Sequence, residues 1–367
     1  MTKSVKILVI AGARPNFMKI APIMRAMKAS SKLEPILVHT GQHYDVQMSE
    51  TFFKELQIPH PDISLEVGSD THARQVARIM ERFETVCDEQ KPQAILVVGD
   101  VNSTMACSIV AAKKDIKIIH VEAGIRSRDR SMPEEINRMV TDAIADILLP
   151  PSSDAVENLL AEGHASSKIH LVGNIMIDTL LSSKALIEKS DILEKLDLKT
   201  GSYVSLTLHR PSNVDNVANF RQILAALEII QKEIPIVFPI HPRTRKMIAE
   251  LGLSDYVDSL KNLILNDPLG YFDFGKLISA SWFVLTDSGG IQEETTVYGI
   301  PCITLRENTE RPITVWEGTN ELAGCDTQKI VAMARDIMDG QWKKGRIPEL
   351  WDGHAAERII AVLEKEL

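Results

Sequence analysis

Cysteine is scarce, and none of it is arranged for a metal. Cys87, Cys107, Cys302 and Cys325 are scattered without ligand-type spacing. Each lies in or beside an apolar segment, which points to buried free thiols. Long apolar runs are missing too, and no stretch approaches the length needed to span a membrane. No secretory leader is visible, since Met1 to Lys6 leads straight into a strand, so a cytoplasmic enzyme is expected. Positive charge is not in excess: a formal net charge of -9 argues against a nucleic-acid or anionic-membrane surface, though not against a local basic pocket. No GxGxxG follows the first strand, which weakens an NAD or FAD reading, and Walker A, HExxH and GxSxG patterns are absent. Low-complexity segments and short repeats are lacking.

What is present is a chain of 367 residues, 44% apolar and 25% charged. That is the composition of a soluble globular protein, and the length fits two domains better than one core. The first half alternates apolar, β-rich runs (residues 5–11, 33–40, 63–67, 94–98, 117–121) with helical periodicity (46–56, 72–89). Such alternation predicts an α/β fold with parallel sheets covered by helices on both faces. A polar stretch at 188–202 reads as the change between domains. The second half repeats the pattern, with strands expected at 203–208, 236–240, 262–265 and 282–285.

In open parallel sheets, residues just past the carboxyl ends of the strands line the ligand crevice. That rule places Arg14, Gln42, His43, Asp100 and Glu122 along one rim. Arg14 and Lys19 offer positive charge to a phosphate, and Asp100 and Glu122 offer carboxylates for proton transfer. Each has a plainer reading: helix-start charges for Arg14 and Lys19, a helix cap for Asp100, a loop charge for Glu122. Pro133-Glu134-Glu135 could be no more than a helix start with dipole-complementing acids. His209 and His241 also fall at strand ends, as acid–base candidates or as satisfied structural groups.

The organising stretch is Trp282 to Glu294. An apolar strand runs into Asp287-Ser288-Gly289-Gly290, where a helix is expected to start with Ser288 as cap and Glu293 and Glu294 in its first turn. Free N–H groups at such a start suit a phosphate, and one of the glutamates would accept hydrogen bonds from ribose. An ordinary strand-to-helix turn reads the same way.

The ordered set Gly12-Ala13-Arg14-Pro15, Thr40-Gly41-Gln42-His43, Gly99-Asp100, His120-Val121-Glu122-Ala123-Gly124, Pro133-Glu134-Glu135, Gly173-Asn174, His209-Arg210, Thr286 to Glu294 and Glu310-Arg311-Pro312 resembles the non-hydrolysing UDP-N-acetylglucosamine 2-epimerases over nearly the whole chain. The resemblance implies a GT-B-like fold, two Rossmann-like domains with parallel sheets facing across a cleft. The domains would span residues 1–186 (sugar side) and 187–352 (UDP side), with 353–367 a helix packing back on the first. It implies interconversion of UDP-GlcNAc and UDP-ManNAc, without metal or nicotinamide, through loss of UDP to a 2-acetamidoglucal. It also implies a cytoplasmic homodimer serving cell-surface polysaccharide biosynthesis. By analogy Asp100, Glu122 and Glu134 supply the carboxylates and His209 assists at the leaving diphosphate. Arg14, Lys19, Ser288, Gly289 and Gly290 would hold phosphate, Glu294 the ribose, Arg311 the diphosphate or sugar, and the segment from Leu269 to Phe274 the uracil. His43 would also contact substrate, and Gln42, Arg210 and His241 mark where some relatives hold a second, activating UDP-GlcNAc.

The chain departs from the family's common pattern at Ala13-Arg14-Pro15-Asn16 and at His209-Arg210-Pro211-Ser212-Asn213, which bears on that activation. Rival readings are a related epimerase acting on a diacetamido or uronic UDP-sugar, a hydrolysing epimerase releasing ManNAc, a GT-B glycosyltransferase and a non-catalytic nucleotide-sugar sensor.

Overall fold

Strand β1 (Val5–Ala11) is buried at its last five positions, as a strand covered on both faces must be. It lies between β2 (Leu33–His39) and β4 (Ala94–Val98) in a parallel sheet that also holds β3 (Ile63–Ser64), β5 (Lys117–Val121) and β6 (Ile147–Leu149). The order is β3-β2-β1-β4-β5-β6. The computed structural model describes residues 4–41 and 60–367. It divides the chain into two compact units, residues 1–182 with 349–367 and residues 183–348.

Helices cover the first sheet. In His72–Gln90 the buried residues Gln75, Ile79, Phe83 and Val86 recur at helical spacing, and Lys91 stops the helix in the left-handed conformation. The sequence after β1 is closed by Asn16, which is buried: its amide oxygen accepts from Ala13 N at 2.9 Å and its amide nitrogen donates to Val98 O at 2.8 Å. The turn after β1 is thereby tied to the end of β4.

The second unit repeats the plan. Its strands are β7 (Val204–Thr207), β8 (Ile236–Pro239), β9 (Leu263–Asn266), β10 (Phe283–Thr286), β11 (Cys302–Thr304) and β12 (Asn320–Leu322), in the order β12-β11-β10-β7-β8-β9. In each unit the first strand sits between the second and the fourth. The strand order therefore reverses at β1/β4 and at β7/β10, where doubly wound sheets open their ligand crevice. A core built on Phe220, Phe238, Phe283 and the aliphatic residues around them supports the second sheet.

Several expectations are corrected. After β6 a short 3-10 turn covers Ser166–Lys168 and a single parallel bridge joins Leu148 to Ile169. The sequence suggests a helix over 275–280, but the helix spans Tyr271–Ser279. Gly275 is inside it because Ile187 packs where a Cβ would stand, 3.0 Å away. β12 (sequence NEL) carries no apolar run, which is why periodicity does not reveal it. The polar stretch 188–202 lies within the second unit and includes the short helix Ile192–Lys195. The helix expected at 46–56 lies outside the described residues.

The chain ends on the first unit. Asp178 accepts from Ala355 N at 3.0 Å and Ala356 N at 2.7 Å, satisfying free donors at the start of the helix Ala355–Glu366. Ser30 Oγ donates to Glu364 at 2.6 Å at its other end. All four cysteines are buried and free. No helix among the described residues is long and apolar enough to cross a membrane.

Candidate active site

In the first unit the ends of β4 and β5 carry the acids. The two strands are paired in register from Ala94 opposite Lys117 to Val98 opposite Val121, so Asp100 and Glu122 leave neighbouring strand ends. Glu122 is buried and its Oε2 lies 2.5 Å from Lys19 Nζ, an ion pair brought in by the helix Arg14–Ala29. Gly99 makes room for that pair: it adopts φ +68°, and a Cβ there would stand 3.3 Å from both Glu122 Oε2 and Lys19 Nζ. Asp100 Oδ2 accepts from both Arg138 Nε at 3.0 Å and Nη2 at 2.6 Å, charge-assisted bonds that share one oxygen. Arg138 Nη1 in turn meets Glu135 at 2.6 Å.

Glu135 also accepts from Ser127 N and Arg128 N. Burial would raise its carboxyl, but those amides and Arg138 hold it below the usual range. Glu134, one residue earlier, is half-buried, and its side chain makes no hydrogen bond among the described residues. Arg14 opens its helix. Gln42 and His43 lie outside the described residues.

Behind the two acids is a fully buried group. His120 Nδ1 is 2.6 Å from Asp142 Oδ1 and Nε2 is 2.9 Å from Gly99 O. Asp142 Oδ2 accepts from Gly124 N at 3.0 Å and meets Arg126 at 2.7 Å. Burial would raise the Asp142 carboxyl; His120, Arg126 and the Gly124 amide bring it below its ordinary value. Sequence reasoning singled out neither Arg138 nor the His120–Asp142 pair. Arg138 could have been found from its spacing, one turn beyond Glu134 and Glu135 on the same helix.

In the second unit Asp287 ties the end of β10 to the end of β7. Its Oδ2 accepts from His209 N and Arg210 N, both at 2.8 Å, and Oδ1 lies 2.9 Å from His209 Nδ1. Burial opposes the Asp287 charge, but the His209 ring and these amides keep its carboxyl low. The His209 ring, half-exposed, stands 5.8 Å from that of His241. Burial lowers His241, with His209 and Arg243 adding to the effect.

The helix Gly289–Tyr298 starts where expected, with Ser288 at the cap position but making no side-chain cap bond. Glu293 and Glu294 fall beyond its first turn, a correction to the expected placing. A Cβ on Gly289 would lie 2.5 Å from Glu310 Oε1, whereas Gly290 has open space. Glu310 is clamped by Arg306 at 2.7 Å with Arg210 at 3.5 Å. Burial would raise it, but Arg306, Arg311 and Arg210 hold it well below the usual carboxylate range.

The two glutamates are unlike each other. Glu293 meets Arg311 Nε at 2.5 Å. Glu294 is 5% exposed and makes no hydrogen bond or ion pair among the described residues. Burial, with the Glu293 charge adding, pushes it up to about 8. The hydroxyls of Tyr271 and Tyr298 near it are buried and also lack partners; burial and Glu294 raise both. Leu269 and Phe274 are half-buried against Tyr203, Val237 and Leu277. Among the described residues no group of three or more His, Cys, Asp or Glu is arranged to hold a metal.

These two six-stranded parallel α/β units are of GT-B-like type, and the family model for UDP-N-acetylglucosamine 2-epimerase matches residues 25–364. The UDP-N-acetylglucosamine 2-epimerase of Methanocaldococcus jannaschii is 40% identical over 363 residues, covering 98% of each chain. The UDP-2,3-diacetamido-2,3-dideoxy-D-glucuronate 2-epimerase of Pseudomonas aeruginosa is 40% identical over 369 residues, covering 98% of this chain and 99% of that one. The crystal structure of the M. jannaschii UDP-GlcNAc 2-epimerase in complex with UDP-GlcNAc and UDP superposes with a TM-score of 0.90 at 38% identity, covering 98% of this chain and all of that one. The chain belongs to the UDP-N-acetylglucosamine 2-epimerase family, and it is an epimerase.

Proposed function

We propose that the chain interconverts UDP-GlcNAc and UDP-ManNAc without releasing free sugar. The observation that carries the reading is the placing of Asp100 and Glu122 at adjacent strand ends, each with its own cation, Arg138 and Lys19. The C2 proton is not next to a carbonyl, so its removal must accompany departure of a stabilised leaving group. In the forward step a carboxylate takes the C2 proton, the C1–O bond breaks with its electrons leaving on UDP, and a C1=C2 double bond forms. The reverse step returns a proton to the other face and UDP to C1. Asp100, Glu122 and Glu134 are the proton-handling groups and His209 serves the leaving diphosphate.

The nucleotide is assigned to the second unit. The helix start at Ser288, Gly289 and Gly290 offers N–H donors and a positive dipole end to phosphate, assisted by Arg14 and Arg311. Leu269 and Phe274 flank the uracil. Glu294 takes the ribose diol: it is the glutamate left without a cation, and two vicinal hydroxyls would supply the donors it lacks. Gln42, His43, Arg210 and His241 are proposed to contact substrate or a second nucleotide sugar. The working assembly is a homodimer in the cytoplasm, serving surface polysaccharide synthesis.

The P. aeruginosa relative matches as well as the M. jannaschii one, which favours a diacetamido uronic UDP-sugar as the second reading. Incubating the protein with both UDP-sugars and analysing products by NMR and mass decides between them. UDP-ManNAc from UDP-GlcNAc is expected; turnover of the diacetamido uronate alone would overturn the first reading in favour of the second.

A further inference from the structure

His120 has no part in the mechanism above, yet it is 0% exposed and bonded at both ring nitrogens. Gly99 O is a carbonyl and can only accept. Asp142 Oδ2 already accepts from Gly124 N and meets Arg126, so its Oδ1 is the oxygen left to face the ring. The ring therefore donates from Nε2 to Gly99 O at 2.9 Å, and its Nδ1 bridges to Asp142 Oδ1 at 2.6 Å. One donor fixes the carbonyl of the peptide that joins Gly99 to Asp100; the same peptide group's neighbour, Gly99 N, donates to Val121 O at 3.0 Å. The other ring nitrogen meets Asp142, whose second oxygen holds Gly124 N, two residues beyond Glu122.

Glu122 itself shows why such a clamp is needed. Its φ is +68°, a left-handed conformation that is strained for a non-glycine residue. Strain of that kind persists only where neighbouring bonds over-determine it. Here they do: Glu122 N donates to Leu149 O at 3.0 Å, and the Gly124 amide is held by Asp142. Arg126, bound to both Asp142 and Glu162, anchors the far side of the pair.

We propose that His120 is a positioning residue for the reaction, one buried ring that sets both strand-end carboxylates, Asp100 through the Gly99 carbonyl and Glu122 through Asp142. This rests on the reading that those two acids handle the C2 proton. The geometry makes the two ends of the ring unequal in effect. Loss of the Gly99 bond frees the peptide leading directly into Asp100, while loss of the Asp142 bond leaves Asp142 still tied to Gly124 and Arg126.

The test uses His120→Ala, His120→Gln and His120→Asn in the full chain, with kcat, KM and UDP affinity measured per folded molecule and C2 deuterium exchange followed in heavy water. A misplacement of the acids lowers kcat by about 10²-fold in His120→Ala, with UDP affinity and KM nearly unchanged, because nucleotide is held by the other unit. Gln can extend an amide N–H toward the Gly99 carbonyl and Asn cannot, so His120→Gln is expected to exceed His120→Asn in kcat by about tenfold. Unchanged kcat in folded His120→Ala overturns the proposal. Should that variant not fold, equal kcat in the Gln and Asn variants overturns it. Wild-type protein that puts no deuterium at C2 of any UDP-sugar tried would instead sink the underlying reading, and the proposal with it.

Discussion

At the scale of single side chains, Glu122 and Glu294 show how two buried carboxyls are set up for different work. Glu122 has a cation at 2.5 Å and a strained backbone beneath it. Replacing it by Gln keeps the shape and removes a proton-handling group of the proposed reaction. We expect turnover to fall by about 10²–10⁴-fold while titration calorimetry finds UDP binding intact; loss of both would make Glu122 structural.

Glu294 has no cation among the described residues, and burial with the Glu293 charge raises its carboxyl from 4.5 to about 8. A raised folded value means its contribution to stability is complete below pH 4.5 and is lost as pH rises through about 8. Glu294→Gln removes that dependence. The free variant should therefore gain on wild type as pH climbs through this window, by on the order of a few kcal/mol in denaturant unfolding. It should bind UDP more weakly at the same time. A stability difference that does not change with pH would show Glu294 to be solvated or paired.

At the scale of elements, the start of the helix Gly289–Tyr298 offers a matched pair of tests. A methyl on Gly289 must displace Glu310, itself locked by Arg306, whereas a methyl on Gly290 meets nothing within 4 Å among the described residues. Gly289→Ala should lower both thermal stability and UDP affinity. Gly290→Ala should leave stability unchanged, so that any loss of affinity reports on the ligand alone. Equal stability losses in the two would contradict the packing.

This element was legible in the sequence because strand, turn residues and glycines are contiguous. The same holds for Asp100 and Glu122, each just past an apolar run. What was not legible depends on long-range contact. Gly275 looks like a helix start until Ile187 is seen packing on it inside the helix Tyr271–Ser279, and β12 is polar in sequence yet pairs with β11. His120 reads as one more strand residue until Gly99 and Asp142 close on its ring, and nothing in the sequence pairs Glu293 with Arg311.

At the scale of the molecule, two sheets of one strand order divide the labour proposed here, acids in the first unit and nucleotide in the second. The last helix belongs to the first unit and is held there by Asp178. Asp178→Ala leaves two backbone donors of that helix without their acceptor and should cost about 0.5–2 kcal/mol in unfolding free energy, with UDP affinity unaffected. Hydrogen exchange should likewise slow on UDP addition around residues 271–298 and not around Asp178. The most direct measurement is the fate of the C2 proton: UDP-GlcNAc is incubated with the protein in heavy water and the products are followed by NMR and mass. The account predicts solvent deuterium at C2 of both UDP-GlcNAc and UDP-ManNAc, with the sugar still joined to UDP. Free ManNAc accumulating beside UDP, or epimers formed with their original C2 hydrogen, would contradict it.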